Sequence, residues 1–138
     1  MTMKVMLTHP GAKMPTRAHA YDAGLDLFAA ERKVIRAHDY EVVETGTHVE
    51  IQPGCVGLLT SKSGLMLKGL TCRGTIDCGY TGSVKAVLFN HSGKDYIVEK
   101  GDKVTQMVIL KCELPELELV DNLEETDRGN GGFGSTGR

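Results

Sequence analysis

Residues 95–114 read DYIVEKGDKVTQMVILKCEL, a stretch rich in β-branched and aliphatic side chains and interrupted by Lys100-Gly101-Asp102. Such side chains suit the pleated, half-buried surface of a strand, and a glycine between charged neighbours is turn chemistry. The same alternation recurs upstream. SVKAVLFN (83–90) has the same character, CVGLLTS (55–61) is a short apolar run, and THVEI (47–51) sets Val49 and Ile51 against polar neighbours. Turns fall between these runs at Gln52-Pro53-Gly54, Ser63-Gly64, Thr81-Gly82 and Ser92-Gly93. No apolar stripe at helical spacing persists for about ten residues. Short strands at this spacing predict an all-β domain: a sandwich, jelly roll or barrel. The acidic, strand-poor stretch from Asn122 to Asp127 marks where the core ends, dividing the chain into a core of residues 1–121 and an arm of residues 122–138.

The arm finishes in RGNGGFGSTGR (128–138), with five glycines and one apolar side chain, Phe133. It buries too little to offset the entropy of ordering its backbone. At 138 residues the chain is one domain by length; its 41% hydrophobic content is somewhat low and its 25% charged content ordinary for a globular protein. A net charge of −2 provides no global field for nucleic acid or anionic lipid, so phosphate binding must come from a local cluster. Nothing approaches the ~20 apolar residues of a membrane span, and MTMKVMLTHPG lacks a signal-peptide run. Cys55, Cys72, Cys78 and Cys112 show no zinc-like spacing and read as reduced thiols. The expectation is a cytoplasmic protein bound to neither membrane nor nucleic acid. Phosphate cradles of the strand–loop–helix type are also excluded: no GxxxxGK[ST] occurs, and nothing follows the glycine-rich segment.

Five stretches place polar residues in tight turns. AYDAGLDL (20–27) brings two carboxylates around Ala-Gly, which alone fits a loop entering a strand with Asp22 and Asp26 capping backbone amides. SKSGL (61–65) offers backbone amides, Lys62 and Ser63 to an anion, or is a plain β-turn. GTIDCGY (74–80) sets Asp77 near Tyr80, a carboxylate and a flat ring suited to a general base beside a sugar or nucleobase. As a structural element alone it is a hairpin whose aspartate satisfies turn amides. KGDKVTQMVI (100–109) carries Gln106 on a strand, and the tail is the fifth.

In this order, over residues from about 18 to 137, the five stretches resemble the five motifs of the trimeric dUTPase family. The resemblance implies a jelly-roll subunit, or distorted β-barrel, of a homotrimer with shared sites at the subunit interfaces and a flexible C-terminal arm. It implies hydrolysis of dUTP to dUMP and pyrophosphate, which keeps uracil out of DNA and supplies dUMP for thymidylate synthesis. Mg²⁺ would be the cofactor, held by the triphosphate without a direct protein ligand, and Asp26 would reach only a metal-bound water or another subunit. Asp77 would be the general base for water attacking the α-phosphorus. Tyr80 would lie on the deoxyribose and leave no room for a 2′-hydroxyl. Uracil would be held by the backbone of a hairpin from Thr71 to Asp77, including Thr75 and Ile76. That ladder rejects cytosine because buried donors and acceptors would face their like. Lys62, Ser63, Gly64 and Gln106 would contact phosphates, and Lys85 matches a position that approaches substrate in bacterial relatives. From the arm, Arg128 would meet the γ-phosphate and Phe133 would stack on uracil. Gly132, Gly134, Ser135 and Thr136 would wrap the phosphates.

The chain departs from the family pattern at Lys62, where arginine is more usual, and at Thr71, where many relatives carry asparagine. The segment from Ser63 to Asp77 is also a few residues shorter than in common bacterial members. A dCTP deaminase shares the implied fold but needs a proton-shuttling glutamate on the hairpin, and none is present. A single-strand binder using the Arg/Gly/Phe tail is disfavoured by the negative charge and the single tail aromatic. A regulatory protein partner, known for some phage-encoded relatives, stays open.

Overall fold

The computed structural model describes all 138 residues. In chain order its elements are β1 (Lys4–Leu7), β2 (Gly24–Phe28), β3 (Lys33–Ile35), β4 (Tyr40–Glu50), β5 (Cys55–Thr60) and a helical turn α1 (Ser63–Met66). They continue with β6 (Leu70–Cys72), β7 (Gly74–Ile76), β8 (Ser83–Asn90), β9 (Tyr96–Val98) and β10 (Lys103–Lys111). Two four-stranded sheets, ordered β1-β4-β8-β6 and β2-β10-β5-β7, enclose the core, and β3 pairs with β9 as a separate ribbon. Every pairing is antiparallel. This is the all-β architecture that the strand and turn pattern predicts, in the jelly-roll form that the resemblance implies. No helix is long and apolar enough to cross a membrane.

Strand β8 shows how sequence becomes packing. Val84, Ala86, Leu88 and Asn90 point inward in strict alternation, while Lys85 and Phe89 point out. Leu27 of β2, Val43 of β4, Leu59 of β5 and Met107 of β10 complete one continuous core with Val84 and Leu88. Side chains of this size each contribute about 1.5–3 kcal/mol when fully buried. Apart from Asp26 Oδ2, the buried polar side-chain atoms have hydrogen-bond partners. Thr45 Oγ1 donates to Val84 O at 2.6 Å across a bulge between β4 and β8.

Asn90, buried at the end of β8, is a hub. Its Nδ2 donates to Ile35 O at 3.1 Å and Lys94 O at 2.8 Å, and its Oδ1 accepts from Ser92 N at 3.0 Å and Ser92 Oγ at 2.7 Å. One amide thus closes the turn after β8 and ties it to β3.

The turn read at Lys100-Gly101-Asp102 is present, and two other local expectations change. Residues 95–114 supply two strands in different sheets, β9 and β10, because Gly101 turns the chain with a φ of 87°. SKSGL is neither a nest nor a plain β-turn: Met66 N–H donates to Lys62 O at 2.9 Å and Leu67 N–H to Ser63 O at 3.1 Å, one turn of helix that buries Leu65. Thr71–Asp77 is not a paired hairpin, since β6 joins the sheet of β8 and β7 joins the sheet of β5. Ser61 Oγ occupies Cys72, accepting from its N–H at 2.9 Å and donating to its carbonyl at 3.1 Å. The chain therefore leaves one sheet after Cys72, and Gly74 starts an edge strand against Leu59.

The Asn90 hub yields a stability prediction. Asn90→Ala leaves the carbonyls of Ile35 and Lys94 without their donor and should cost about 2–4 kcal/mol. Urea midpoints at matched protein concentration measure it; a loss within ~0.5 kcal/mol would show the hub to be dispensable.

Candidate active site

Part of the set of residues expected to act on substrate falls into two recesses. The first, about 210 Å³, is lined by Thr75, Ile76, Asp77, Tyr80, Ser83 and Lys85. It sits where the chain crosses from β7 to β8. Tyr80 N–H donates to the carbonyl of Asp77 at 3.0 Å, so the turn is closed by backbone and the Asp77 carboxylate is left exposed. Tyr80 is fixed by its hydroxyl, which donates to Ser83 O at 2.8 Å, and by Gly82 beneath its ring. A Cβ on Gly82 would lie 2.6–3.0 Å from the ring and hydroxyl, so glycine is what lets the ring lie where it does. Behind Lys85, Glu44 Oε2 accepts from Ser83 Oγ at 3.2 Å and lies 3.9 Å from Lys85 Nζ. Sequence reading missed Ser83 and Glu44. The period-two pattern of β8 puts Ser83 on the face of Lys85, but the Glu44 contact depends on pairing across forty residues of chain.

The second recess, about 290 Å³, is lined by Ala18, Asp22, Gly24, Asp26, Lys62 and Gln106 among others. Register builds it: Gln106 of β10 lies opposite Asp26 of β2 and Thr60 of β5. Gln106 Nε2 donates to Ser61 O at 3.3 Å, and its Oε1 lies where a Cβ on Gly24 would stand 2.3 Å away. Any side chain at residue 24 would displace the amide. Ser63 and Gly64, exposed on α1, follow directly on Lys62. The first amides of a helical turn have no intrahelical acceptor.

Asp26 is the electrostatic centre of this recess. It is 2% exposed, and it does not cap loop amides as one sequence reading allowed; Asp22 does, with Oδ2 accepting from His19 N at 2.9 Å. Instead Lys62 Nζ donates to Asp26 Oδ1, and Lys103 Nζ stands 3.0 Å from Oδ2. The Lys103 contact is ionic rather than a directed hydrogen bond, since Oδ2 has no aligned donor. Burial alone would raise the Asp26 pKa, but the two lysines outweigh it and hold the carboxyl below its ordinary value. It is therefore ionised at neutral pH. Lys103 was not singled out by sequence; its turn, Gly101-Asp102, was the available signal.

The remaining expected residues lie apart. Thr71 Oγ1 bonds His91 Nε2 at 2.8 Å on β6, away from Thr75 and Ile76. The last strand ends at Lys111, and Cys112 N–H donates to Gly54 O. In the arm, Arg128 Nε donates to Gly131 O at 2.9 Å, Ser135 N–H to Gly132 O and Gly137 N–H to Gly134 O. Arg128, Gly134, Ser135, Thr136 and the Phe133 ring are exposed, while Gly132 is partly covered. The largest cavity, about 450 Å³ and lined by Met1, Met3, Val5, Met14, Leu25 and Ile109 among others, contains no expected site residue.

With this geometry in hand, the relatives are informative. A sequence model of the dUTPase family matches residues 11–137. The deoxyuridine 5'-triphosphate nucleotidohydrolase of Clostridium tetani is 42% identical over 99% of this chain and 97% of its own length. That of Yarrowia lipolytica is 44% identical over 99% of this chain and 90% of its own length. Among solved structures, a mutant dUTPase of Staphylococcus bacteriophage 80alpha with dUpNHpp superposes with a TM-score of 0.93 at 34% identity, covering 99% of both chains. A mutant dUTPase from phage phi11 of S. aureus, described for its coordination of a structural Mg(II) ion, superposes with a TM-score of 0.84 at 33% identity, over 91% of this chain and 100% of that one. A match over nearly the whole sequence, in an all-β fold carrying these two recesses, means that this chain belongs to the dUTPase family.

Proposed function

We propose that the chain hydrolyses dUTP to dUMP and pyrophosphate, with Asp77 as general base. One observation carries the reading. The exposed Asp77 carboxylate shares a recess with the Tyr80 ring and the backbone of Thr75 and Ile76, and lysines line both this recess and the one around Asp26. In this scheme the backbone of β7 reads uracil, and the Tyr80 ring packs on the deoxyribose where a 2′-hydroxyl would sit. Asp77 accepts a proton from the attacking water as its oxygen bonds to the α-phosphorus and the bond to pyrophosphate breaks. A positioned base typically contributes about 10²–10⁴-fold. Lys62, Lys85, Ser63, Gly64 and Gln106 receive the phosphates and hold them in line. Thr71 takes part only if its pairing with His91 yields to the base.

No three His, Cys, Asp or Glu side chains converge in the chain. In this scheme Mg²⁺ would be carried on phosphate oxygens and supply charge neutralisation, with the buried Asp26 carboxylate one step removed. In a homotrimer with shared sites, the two recesses, which have no lining residue in common, would be brought together from different subunits. The segment leading into the arm, with Leu117 95% and Leu119 99% exposed, has apolar surface that a neighbour would cover. Extended, the eleven residues from Arg128 span at most roughly 36–40 Å. In this reading Phe133 stacks on uracil in a neighbour's site, with Arg128, Gly132, Gly134, Ser135 and Thr136 around the phosphates. The four cysteines are free thiols, which suits a reducing compartment such as the cytoplasm.

Asp77→Asn should bind a non-hydrolysable dUTP analogue within about threefold of the parent and lose at least ~10²-fold in kcat. Retained turnover would remove Asp77 as the base. Gly82→Ala tests Tyr80 without touching it. The added methyl displaces the ring, so discrimination of dUTP against UTP in kcat/KM should fall by about tenfold or more, while stability changes little. Unaltered discrimination would mean that the ring does not police the sugar.

A further inference from the structure

The Asp26 cluster contains one group that the proposed reaction leaves unused. Lys103 does not line either recess, yet its ammonium stands 3.0 Å from the carboxylate that holds Lys62. Side-chain exposure falls from 46% at Lys103 and 25% at Lys62 to 3% at Asp26, so one deeply buried anion is flanked by two partly solvated cations. A buried carboxylate must keep a counter-ion, because an unpaired charge there is strongly unfavourable. With Lys62 alone, that requirement would commit the Lys62 ammonium to Asp26, and the pair would present no net charge to the recess. With Lys103 added, two ammonium groups face one carboxylate and a positive charge remains. Lys62 lines the recess and Lys103 stands outside it, so the surplus is available on the Lys62 side. Gln106, anchored on Ser61 O and pressed against Gly24, marks the same side for an oxygen-rich ligand.

We infer that Lys103 is a positioning residue for the triphosphate: it serves as a second counter-ion of Asp26 beside the hydrogen-bonded Lys62, so that the cluster keeps a net positive charge for the phosphates. The inference rests on the reading of this recess as the phosphate site. It concerns binding of the polyphosphate, not the proton transfer at Asp77. The effect of losing Lys103 should therefore grow with the number of phosphates on the ligand. Lys103→Arg restores the cation, although a planar guanidinium replaces a point charge.

The test is calorimetry with two probes, dUMP and an α,β-imido analogue of dUTP with Mg²⁺, joined to steady-state kinetics on dUTP. Lys103→Met should weaken the triphosphate analogue and raise KM by roughly tenfold, with dUMP affinity and kcat within about twofold of the parent. Lys103→Arg should recover most of the loss. If Lys103→Met does not fold, Lys103→Gln retains a donor without the charge and should give the same pattern. Equal weakening of dUMP and the analogue, or unchanged analogue affinity in a folded variant, would overturn the inference. Lys62→Met is the control. If it leaves analogue affinity unchanged, the phosphate reading of the recess falls, and this inference with it. If it weakens the analogue while Lys103→Met does not, only the role of Lys103 is refuted.

Discussion

Gln106 of β10 lies opposite Asp26 on one side and Thr60 on the other, and that double register decides what the second recess contains. Side chains alternate along a strand, so a slip of one residue would turn Gln106 into the wall and bring an apolar neighbour to the recess. The core opposes any such slip. Met107, Leu25 and Leu59 are inward on the same three strands and would be driven out together. Packing energy in the core thus fixes polar geometry at the rim. The buried Asp26 carboxylate reinforces it, because Lys62 from the end of β5 and Lys103 from the start of β10 converge on it.

The other recess depends on a different constraint, the crossing between sheets. Within a few residues the chain leaves β6 in one sheet, forms β7 at the edge of the other, and returns as β8. A crossing segment belongs to neither hydrogen-bond ladder, so its side chains are free to face outward. Asp77 and Tyr80 lie there, and Gly82 supplies the space that the ring requires. Regular strands hold the segment at both ends, which keeps an exposed carboxylate in a defined place.

Much of this was legible from residues alone. SVKAVLFN became β8 with its boundaries intact, and CVGLLTS became β5 less its last residue, because period two and turn residues are local signals. Strand β4 begins at Tyr40, well before the alternation at Val49 and Ile51. Its earlier half runs through Val42 and Val43 and a bulge near Gly46, which breaks the pattern. The five motifs named candidate residues, and the structure adds which of them share a recess. That Asp77 shares a recess with Lys85, and Asp26 with Lys62 and Gln106, comes from strand pairings far apart in sequence. Local patterns do not encode such pairings. Lys103 escaped notice for the same reason: it is an ordinary turn-flanking lysine until β2 places Asp26 beside it.

The central claim is that a working site is assembled from the Asp77 recess of one chain and the arm of another. Mixing two inactive variants tests it most directly. A chain stopped before Arg128 keeps Asp77 and lacks the arm tip, while full-length Asp77→Asn keeps the arm and lacks the base. Unfolded together in equal amounts and refolded, they should regain about a quarter of parental turnover if each site draws these parts from two chains of a symmetric assembly. No recovery, from a mixture shown by sedimentation to contain mixed oligomers, would contradict the account and place base and arm on the same chain.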